Sequence, residues 1–274
     1  MDPWSLFIDR TPHPGAFNMA VDEYLFRRLD KDPRTTVRFY RWERPTVSLG
    51  YSQRVQEVLD YDYCRRNGVD VVRRITGGKL VLHWREITYS IVSSDTAAFS
   101  PILAESYRRI SLGLILGLKR MGLQARLAGP PPSSYSRGKM PCFAYPARDE
   151  IEIDGRKIIG SAQKRVGERF LQHGSIPLQG DEGLLDRVSL SRDGSSGLRM
   201  ISVSEALGKE VDSEWAVESL VDGLAEYFKV RFEPLVLEPA DEETVERIQE
   251  QRYPNEAWTM GRPEGKSIDF LGFG

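Results

Sequence analysis

Two short segments of the chain combine cationic side chains with small residues, a combination that lets a ligand come close to the backbone. The first runs from Arg73 to Lys79 and sets two arginines before Thr76 and the Gly77-Gly78 pair. Backbone amides at such a turn, with guanidinium groups beside them, can bind a phosphate or an acyl carbonyl. A tight turn between strands with an exposed basic cluster fits these residues equally well. The segment is not a P-loop, because the GxxxxGK(S/T) spacing is absent.

The second segment runs from Gly155 to Gln163 and begins at a predicted hairpin turn, Asp154-Gly155. Beyond its apolar pair the segment turns to small residues, where a ligand or another stretch of backbone could come close to the strand: Gly160, Ser161 and Ala162. The segment therefore predicts a strand with an open face.

Lys157 stands near the start of that strand. If the turn holds two residues, Lys157 lies opposite Glu152, and Ile158 lies opposite Ile151. Two interpretations stay open. Lys157 is either half of an exposed cross-strand ion pair worth under about 1 kcal/mol, or a cation that binds an acyl carbonyl or activates a neighbouring group.

The two cysteines, Cys64 and Cys142, are too few for a disulfide scaffold or a cysteine-based zinc site. Cys64 fits a structural role in a helix. Cys142 follows a loop rich in proline, serine and glycine, predicted over residues 129–140, and has several cations close in sequence. Nearby cations lower a thiol's pKa and raise the fraction of nucleophilic thiolate. A lone cysteine is more often structural, so the residues alone leave the role of Cys142 open.

The three histidines, His13, His83 and His173, are far apart and show no HExxH or paired spacing, which disfavours a metal site. His83 and His173 fall in predicted strands. Each could act as a general base or could be hydrogen-bonded within the sheet, and without geometry the second is favoured.

The composition is that of a folded chain, with 274 residues of which 40% are hydrophobic and 28% charged. Lys and Arg number 38 against 40 Asp and Glu, so the chain lacks the basic excess of most nucleic-acid-binding proteins. The apolar run from Ile110 to Leu118 falls far short of the ~20 residues of a membrane-spanning helix. The first residues carry an acid and a proline where a secretory signal would be basic and apolar, so we expect a cytoplasmic protein with free thiols.

Hydrophobic periodicity predicts the elements that position these residues. Strands are expected over residues 4–9, 35–42, 46–51, 69–74, 79–84, 87–94, 149–153, 156–159 and 169–176, with 79–84 and 87–94 paired. Helices are expected over residues 14–30, 54–66, 213–228 and 241–251. Another helix, after Ser100-Pro101, should face the core with Leu103, Tyr107, Ile110, Leu114, Leu118 and Met121. The mixed order without βαβ regularity favours an α+β fold with a large, mainly antiparallel sheet.

Seven segments, in this order, resemble the biotin/lipoate protein ligase and acyltransferase superfamily. They are residues 17–23 (FNMAVDE), 45–50 (PTVSLG), 73–78 (RRITGG), 81–83 (VLH), 86–90 (EITYS), 155–163 (GRKIIGSAQ) and 172–175 (QHGS), with a weaker echo over 253–258. The resemblance implies an α+β catalytic domain of the class II biotin/lipoyl synthetase-like type, with a mixed, largely antiparallel sheet and packed helices. It implies one domain over residues 1–274, with a core of about 4–230 and a helical C-terminal extension of about 231–274.

Within that superfamily, the Cys-dependent octanoyltransferases of the lipoate-ligase-like type carry a Cys-Phe segment shortly before the GRKIxGSAQ strand, as Cys142-Phe143 stands here. The resemblance implies that Cys142 is the nucleophile and Lys157 a catalytic cation. It implies substrate-binding roles for Arg73, Arg74, Thr76, Gly77, Gly78, Lys79, His83, Gly160, Ser161, Ala162 and Gln163. The sequence departs from the family at Lys79-Leu80, where glycine or arginine followed by alanine is usual, and at Trp84, which replaces an aspartate.

The implied reaction takes an octanoyl group from acyl carrier protein to a lysine of an apo lipoyl domain or of glycine cleavage H protein. The thioester would enter a slot between the Thr76-Gly77-Gly78 loop and the Lys157 strand, Cys142 would attack it, and Lys157 with backbone amides would hold the oxyanion. No cofactor is expected, since the acyl group arrives activated. Acidic carrier domains would meet basic residues, namely Arg73, Arg74, Lys79, Lys164 and Arg165.

Two alternatives come from other classes of protein. An ATP-dependent lipoate-protein ligase would use ATP and Mg to form lipoyl-AMP and would need no cysteine. A non-catalytic paralogue that binds acyl groups or carrier domains is suggested by Trp84. None of the three hypotheses involves a nucleic acid or a membrane.

Overall fold

The computed structural model describes residues 3–129, 149–181, 183–190 and 200–261. Its strands are β1 (Trp4–Ile8), β2 (Thr36–Tyr40), β3 (Thr46–Leu49), β4 (Asp70–Arg73), β5 (Val81–His83), β6 (Glu86–Ser93), β7 (Arg126–Leu127), β8 (Ile151–Ile153), β9 (Arg156–Val166), β10 (Arg169–Pro177) and β11 (Phe232–Pro234). Its helices are α1 (Gly15–Arg28), α2 (Val55–Val58), α3 (Tyr61–Arg66), α4 (Thr96–Phe99), α5 (Leu103–Arg120), α6 (Leu184–Val188), α7 (Val203–Leu207), α8 (Ser213–Phe228), α9 (Pro239–Arg252) and α10 (Glu256–Thr259).

The strands form an eight-stranded sheet in the order β11-β1-β2-β6-β10-β9-β8-β7 and a three-stranded sheet in the order β4-β3-β5. Strands β11, β1 and β2 run parallel, and every other neighbouring pair of the large sheet is antiparallel. The expected α+β fold with a large, mainly antiparallel sheet is confirmed.

The predicted pairing of residues 79–84 with 87–94 is wrong. Strand β5 pairs with β3 in the small sheet, whereas β6 pairs with β2 and β10 in the large one. The chain changes sheet at Trp84-Arg85, where Arg85 has a φ of 54°. A turn of only two residues therefore leads away from the first strand instead of folding back onto it.

The single helix predicted over residues 54–66 is divided in two. Leu59 is extended, with φ −133° and ψ 130°, and forms a bridge with Ser189. The Asp60 side chain then caps α3 by accepting a hydrogen bond from the Tyr63 amide at 2.8 Å. An aspartate that satisfies a free amide in this way favours a new helix start over continuation of the old helix.

The two faces of the large sheet carry different helices. Phe39 and Ile91 face the cluster that contains α5 and α8, while Tyr40 and Val92 face the cluster that contains α1 and α9. Neighbouring residues of one strand thus enter opposite cores, as the period of two requires. A third cluster packs the small sheet against α2 and α3.

Helix α5 confirms most of its predicted stripe, since Ile110, Leu114, Leu118 and Met121 are buried. Leu103 is 49% exposed, because it is the first residue of the helix and lies outside the packed turns. The helix lies close to α8 through glycine, since a Cβ atom on Gly117 would come within 2.6 Å of the Leu220 Cα.

The segment predicted as a helical C-terminal extension begins with strand β11, which pairs with β1 and lengthens the sheet. Helix α9 follows and packs on α1 through Val245 and Ile248. Among the residues that the structure describes, no helix is long and apolar enough to cross a membrane.

Candidate active site

A β-bulge at Ile158 orients Lys157. Ile153 pairs with Arg156 and Glu152 with Lys157, but Ile151 pairs with Ile159 instead of the predicted Ile158. Ile158 and Ile159 are both fully buried, so the extra residue reverses the alternation of β9. Lys157 therefore shares a face with Gly160, and a Cβ atom there would lie 3.3 Å from the Lys157 Cε.

The Lys157 ammonium group is paired with Glu150, at 2.6 Å between Nζ and Oε1. The register opposite Glu152 is as predicted, but Glu152 accepts from the Arg126 Nε at 2.9 Å instead. The Lys157 and Glu150 side chains are only 18% and 15% exposed, so the interpretation of Lys157 as half of an exposed ion pair with Glu152 is wrong. A partly buried cation with two hydrogens left to donate suits a carbonyl oxygen.

The glycine loop of Thr76, Gly77 and Gly78 lies against the same face of β9. Gly78 has a φ of 92°, and a Cβ atom there would lie 3.4 Å from the Ala162 Cβ. The same atom would lie 2.9 Å from the Arg74 Nη2, so only glycine fits this turn. The predicted proximity of loop and strand is therefore present in the structure.

The structure divides the predicted residues of β9 between two faces. The Ser161 and Tyr89 hydroxyls share a hydrogen bond of 2.7 Å, and the Gln163 side chain contacts Gln172 and Ser106. These two residues face α5, away from the glycine loop. Burial raises the pKa of Tyr89 to about 12, so this hydroxyl stays protonated.

Arg73 and Arg74 are buried, which corrects the expectation that they present charge to a partner. Within the described residues, the acceptors found for Arg73 are all backbone carbonyls, those of Gly50, Tyr51, Gln53, Trp258 and Thr259. Its guanidinium group joins β4 to the end of α10. Because its guanidinium hydrogens are bound to these carbonyls, we expect Arg73 to stabilise the site without contacting the substrate.

Arg74 supports the loop directly. Its Nη2 donates to the carbonyls of Gly77 and Lys79 at 2.9 and 2.6 Å, and its Nε donates to the Thr76 hydroxyl at 3.1 Å. Lys79 itself is exposed. Burial lowers the pKa of Arg74 to about 10, which leaves it cationic at neutral pH.

Both strand histidines are buried and hydrogen-bonded. His83 contacts Ser48 at 2.8 Å and Glu86 at 2.7 Å, and Trp42 stacks on its ring with centroids 4.1 Å apart. Since both ring nitrogens are used, the structure places His83 behind the site and not at a substrate.

His173 bridges the Thr76 hydroxyl at 2.7 Å and the Asp22 carboxylate at 3.0 Å. Sequence reasoning missed the acidic partners Asp22, Glu86 and Glu150. The signal for Asp22 was an acid within the apolar stretch of α1.

Cys142 and the loop predicted before it lie outside the described residues. The described residues that flank this segment lie close together. The Ala128 amide donates to the Glu150 carbonyl at 2.7 Å, and the Asp149 amide donates to the Ala128 carbonyl at 3.3 Å. Glu150 is the partner of Lys157.

Comparison with protein families and curated proteins gives consistent matches. The model of the lipoyl protein ligase A/B catalytic domain matches residues 14–225. The octanoyltransferase LipM of Carboxydothermus hydrogenoformans is 38% identical over 269 residues, which cover 94% of this chain and 98% of that protein. The octanoyltransferase LipM of Clostridioides difficile is 34% identical over 280 residues, covering 96% and 100%.

Solved structures share the fold at lower identity. A lipoate-protein ligase A bound with ATP superposes with a TM-score of 0.81 at 24% identity, covering 96% of this chain and all of that one. A bi-partite lipoate protein ligase from Thermoplasma acidophilum gives a TM-score of 0.79 at 23% identity, covering 98% and 100%. At such identities these likenesses establish the architecture alone.

Proposed function

The chain belongs to the family of lipoyl protein ligase A/B catalytic domains, and from this premise we propose that it transfers octanoyl groups in lipoate biosynthesis. The observation that carries the choice of transferase over ligase is its similarity to octanoyltransferases along almost its whole length. The ligases resemble it at 23–24% identity and share the fold. The chain is an acyltransferase on this evidence.

The acyl carbonyl is proposed to bind between Lys157 and the glycine loop. Lys157, Gly160 and Ala162 share one face of β9, and the loop lies against that face at Gly78. Gly160 leaves room over the strand for the methylene groups of Lys157, so the ammonium group lies on the same face as the loop contact at Ala162. Lys157 is held by Glu150 and can donate another hydrogen to the carbonyl oxygen.

Cys142 is proposed as the nucleophile. Its thiolate sulfur attacks the thioester carbonyl carbon, the bond from that carbon to the donor's sulfur breaks, and the donor leaves as a thiolate that takes a proton from water. A lysine amine of the acceptor then attacks the enzyme thioester, loses a proton and forms an amide, which returns the Cys142 thiolate. Lys157 and loop amides would stabilise the oxyanion of both steps.

The partners proposed are octanoyl-acyl carrier protein as donor and an apo lipoyl domain or glycine cleavage H protein as acceptor. Lys79 is exposed and lies on the loop, where an acidic carrier domain would meet it. Arg73 and Arg74 are removed from this surface by their burial. No ATP is proposed to be needed, because the incoming thioester is already activated, and a cytoplasmic site would keep the thiol reduced.

Intact-protein mass spectrometry with octanoyl-acyl carrier protein and no ATP tests this function. We expect an adduct of about 126 Da, one octanoyl group in place of a hydrogen, on the wild type and no adduct on Cys142→Ala. Cys64→Ala is the matched control and should keep the adduct, since burial raises the pKa of the Cys64 thiol to about 11.

Absence of the adduct from the wild type would exclude the thioester route. Transfer to an apo lipoyl domain would then be measured with lipoate and ATP, and ATP-dependent modification by Cys142→Ala would establish a ligase. Transfer from octanoyl-acyl carrier protein that is lost in Lys157→Met and kept in Lys119→Met would support the proposed role of Lys157, since Lys119 is exposed on α5.

A further inference from the structure

Arg74 is the centre of a buried network behind the glycine loop. Besides the loop carbonyls, it donates to two hydroxyl groups, from Nε to Thr76 at 3.1 Å and from Nη1 to Ser48 at 3.0 Å. It also donates from Nη1 to the Ser48 carbonyl at 2.9 Å. Within the described part of the chain, all hydrogen-bond acceptors found for Arg74 are neutral carbonyl or hydroxyl oxygens. The orientation of the guanidinium plane therefore depends on how the two hydroxyls are held.

Each hydroxyl is held by a histidine, and each histidine by a carboxylate. We call each such series of carboxylate, imidazole and hydroxyl a relay. In the first relay, Asp22 of α1 contacts the His173 Nδ1 at 3.0 Å, and the His173 Nε2 contacts the Thr76 hydroxyl at 2.7 Å. The order from the helix to the loop is acid, imidazole, hydroxyl and guanidinium.

The second relay repeats that order on different elements. Glu86 of β6 contacts the His83 Nδ1 at 2.7 Å, and the His83 Nε2 contacts the Ser48 hydroxyl of β3 at 2.8 Å. Both relays are buried and both end on Arg74. The two relays share no residue before Arg74 and have the same order of groups, which indicates that they have the same function.

The donors and acceptors fix where the protons lie. A guanidinium group only donates, so each hydroxyl accepts from Arg74, and within the described residues the ring Nε2 is the acceptor found for the hydroxyl's own hydrogen. That nitrogen must then be the unprotonated one, and Nδ1 carries the hydrogen that the carboxylate accepts. Both rings are therefore assigned the Nδ1–H tautomer, the opposite of a ring whose Nε2 faces a carboxylate.

We propose that His173 and His83 are positioning residues for the acyl-transfer site, each keeping a hydroxyl oriented as an acceptor for Arg74 so that Arg74 holds the glycine loop against β9. This inference rests on the proposed function for its effect on rate. In this proposal neither histidine contacts the substrate. Each contacts a hydroxyl that accepts a hydrogen bond from Arg74, and Arg74 holds the loop.

The surrounding charges favour this state of His173. Asp22 faces it from α1, Arg74 from the end of β4 and His83 from β5. Burial lowers the pKa of His173, although Asp22 acts to raise it. Burial also opposes ionisation of Asp22, but hydrogen bonding from His173 and the charge of Arg38 lower the pKa of that carboxyl below its ordinary value. The pair thus rests as a carboxylate and a neutral imidazole.

Nitrogen-15 spectra of the histidine rings test the tautomers in the wild-type protein without substrate. The chain has three histidines, so single substitutions assign every ring. We expect an unprotonated Nε2 in His173 and His83 at neutral pH. His13 is the internal contrast, since its Nε2 faces the Asp9 carboxylate at 3.2 Å and should carry a hydrogen. An Nε2–H signal from His173 or His83 would overturn the inference even in an active enzyme.

Substitutions of Thr76 test the effect on rate. Thr76→Val removes the hydroxyl at nearly constant volume and should lower the kcat of octanoyl transfer roughly tenfold, the equivalent of one hydrogen bond in the site. Thr76→Ser keeps the hydroxyl and should restore most of that kcat. In Thr76→Val the Nε2 resonance of His173 should shift while that of His83 stays. Equal kcat for Thr76→Val and the wild type would contradict the positioning role.

The two readouts separate the two proposals. The ring tautomers are observed without turnover, so loss of the octanoyltransferase assignment would leave their outcome decisive for the relays. Octanoyl transfer by the wild type with the other tautomer present would support the function and reject the relays.

Discussion

The Lys157 side chain lies over Gly160, three residues further along the same strand. In a regular strand residues 157 and 160 point to opposite faces, and the bulge at Ile158 brings them to the same one. The absence of a side chain at Gly160 leaves the space that the methylene groups of Lys157 occupy. The position of the Lys157 ammonium group therefore depends on the absence of a side chain at Gly160.

Gly160→Val should therefore impair transfer by displacing Lys157. A Cβ atom at Gly160 would stand 3.3 Å from the Lys157 Cε and 3.8 Å from the Met200 methyl group, and the branched side chain adds two more carbons. We expect the kcat of octanoyl transfer to fall at least tenfold, since an oxyanion donor moves out of place. Steady-state transfer assays measure this.

Gly180→Ala is the control for that substitution. It has no atom within 4 Å of its Cβ position and ordinary backbone torsion, so both activity and stability should stay near wild type. Transfer by Gly160→Val at the wild-type rate would show that the position of Lys157 over Gly160 is irrelevant to catalysis.

Gly78→Ala should damage the loop more than a strained glycine elsewhere. Gly78 and Gly68 both have positive φ, 92° and 66°, so alanine at either costs roughly 1 kcal/mol of backbone strain. Only at Gly78 does the added methyl group meet Arg74, at 2.9 Å from Nη2, and Ala162, at 3.4 Å. We expect a loss of urea stability in both variants, larger in Gly78→Ala, and a loss of transfer activity in Gly78→Ala alone.

Equal activity of the two variants would contradict this expectation. It would mean that the contact between the loop and β9 is not needed for transfer. Both positions have positive φ, so Gly68→Ala controls for the effect of backbone strain without a contact to Arg74 or Ala162.

Much of the fold could be predicted because its signals are local. Helix α8 occupies the predicted residues 213–228, since Asp212 caps it and its apolar residues recur at helical spacing. The hairpin at Asp154-Gly155 follows from a turn that requires positive φ at both residues, 51° and 76°. These features depend on residues a few positions apart.

The site was harder to predict because its contacts join distant parts of the chain. Arg73 is separated by 185 residues from Trp258, whose carbonyl it reaches. Arginines are mostly exposed, so sequence alone placed Arg73 and Arg74 on the surface. The bulge gives no distinct signal, since two adjacent isoleucines fit a regular buried strand as well as a bulged one.

Arg73→Lys should destabilise the protein more than it changes the chemistry of transfer. Lysine has one nitrogen in place of the planar fork that reaches five carbonyls, including the last carbonyls of α10 at Trp258 and Thr259. Leaving buried carbonyls without donors should lower the free energy of unfolding by about 2–4 kcal/mol. Urea denaturation measures the change.

Arg66→Lys is the matched control, because Arg66 is exposed in the last turn of α3 and should change stability by less than about 0.5 kcal/mol. A similar stability for Arg73→Lys and Arg66→Lys would show that the contact between β4 and α10 contributes nothing to folding.

Stability should fall as the pH is lowered below neutrality, with His173 as one identifiable cause. Burial lowers the pKa of His173 below its ordinary value of 6.5, so the unfolded chain binds a proton there before the folded chain does. The contribution is present above pH 6.5 and is lost as the pH falls below it, at up to about 1.4 kcal/mol per pH unit. Asp22 has the same sign at lower pH, since its pKa is also lowered from 3.8.

Urea unfolding of the wild type and His173→Gln between pH 7.5 and 5 isolates the histidine's part. Glutamine has no titratable group, so we expect the variant to be less stable at neutral pH but to lose less stability on acidification. The difference in slope should appear below pH 6.5, where the unfolded chain binds a proton at His173 before the folded chain does. Parallel curves for the two proteins would mean that His173 takes up its proton equally in the folded and unfolded chains, and the lowered pKa of His173 would then be rejected.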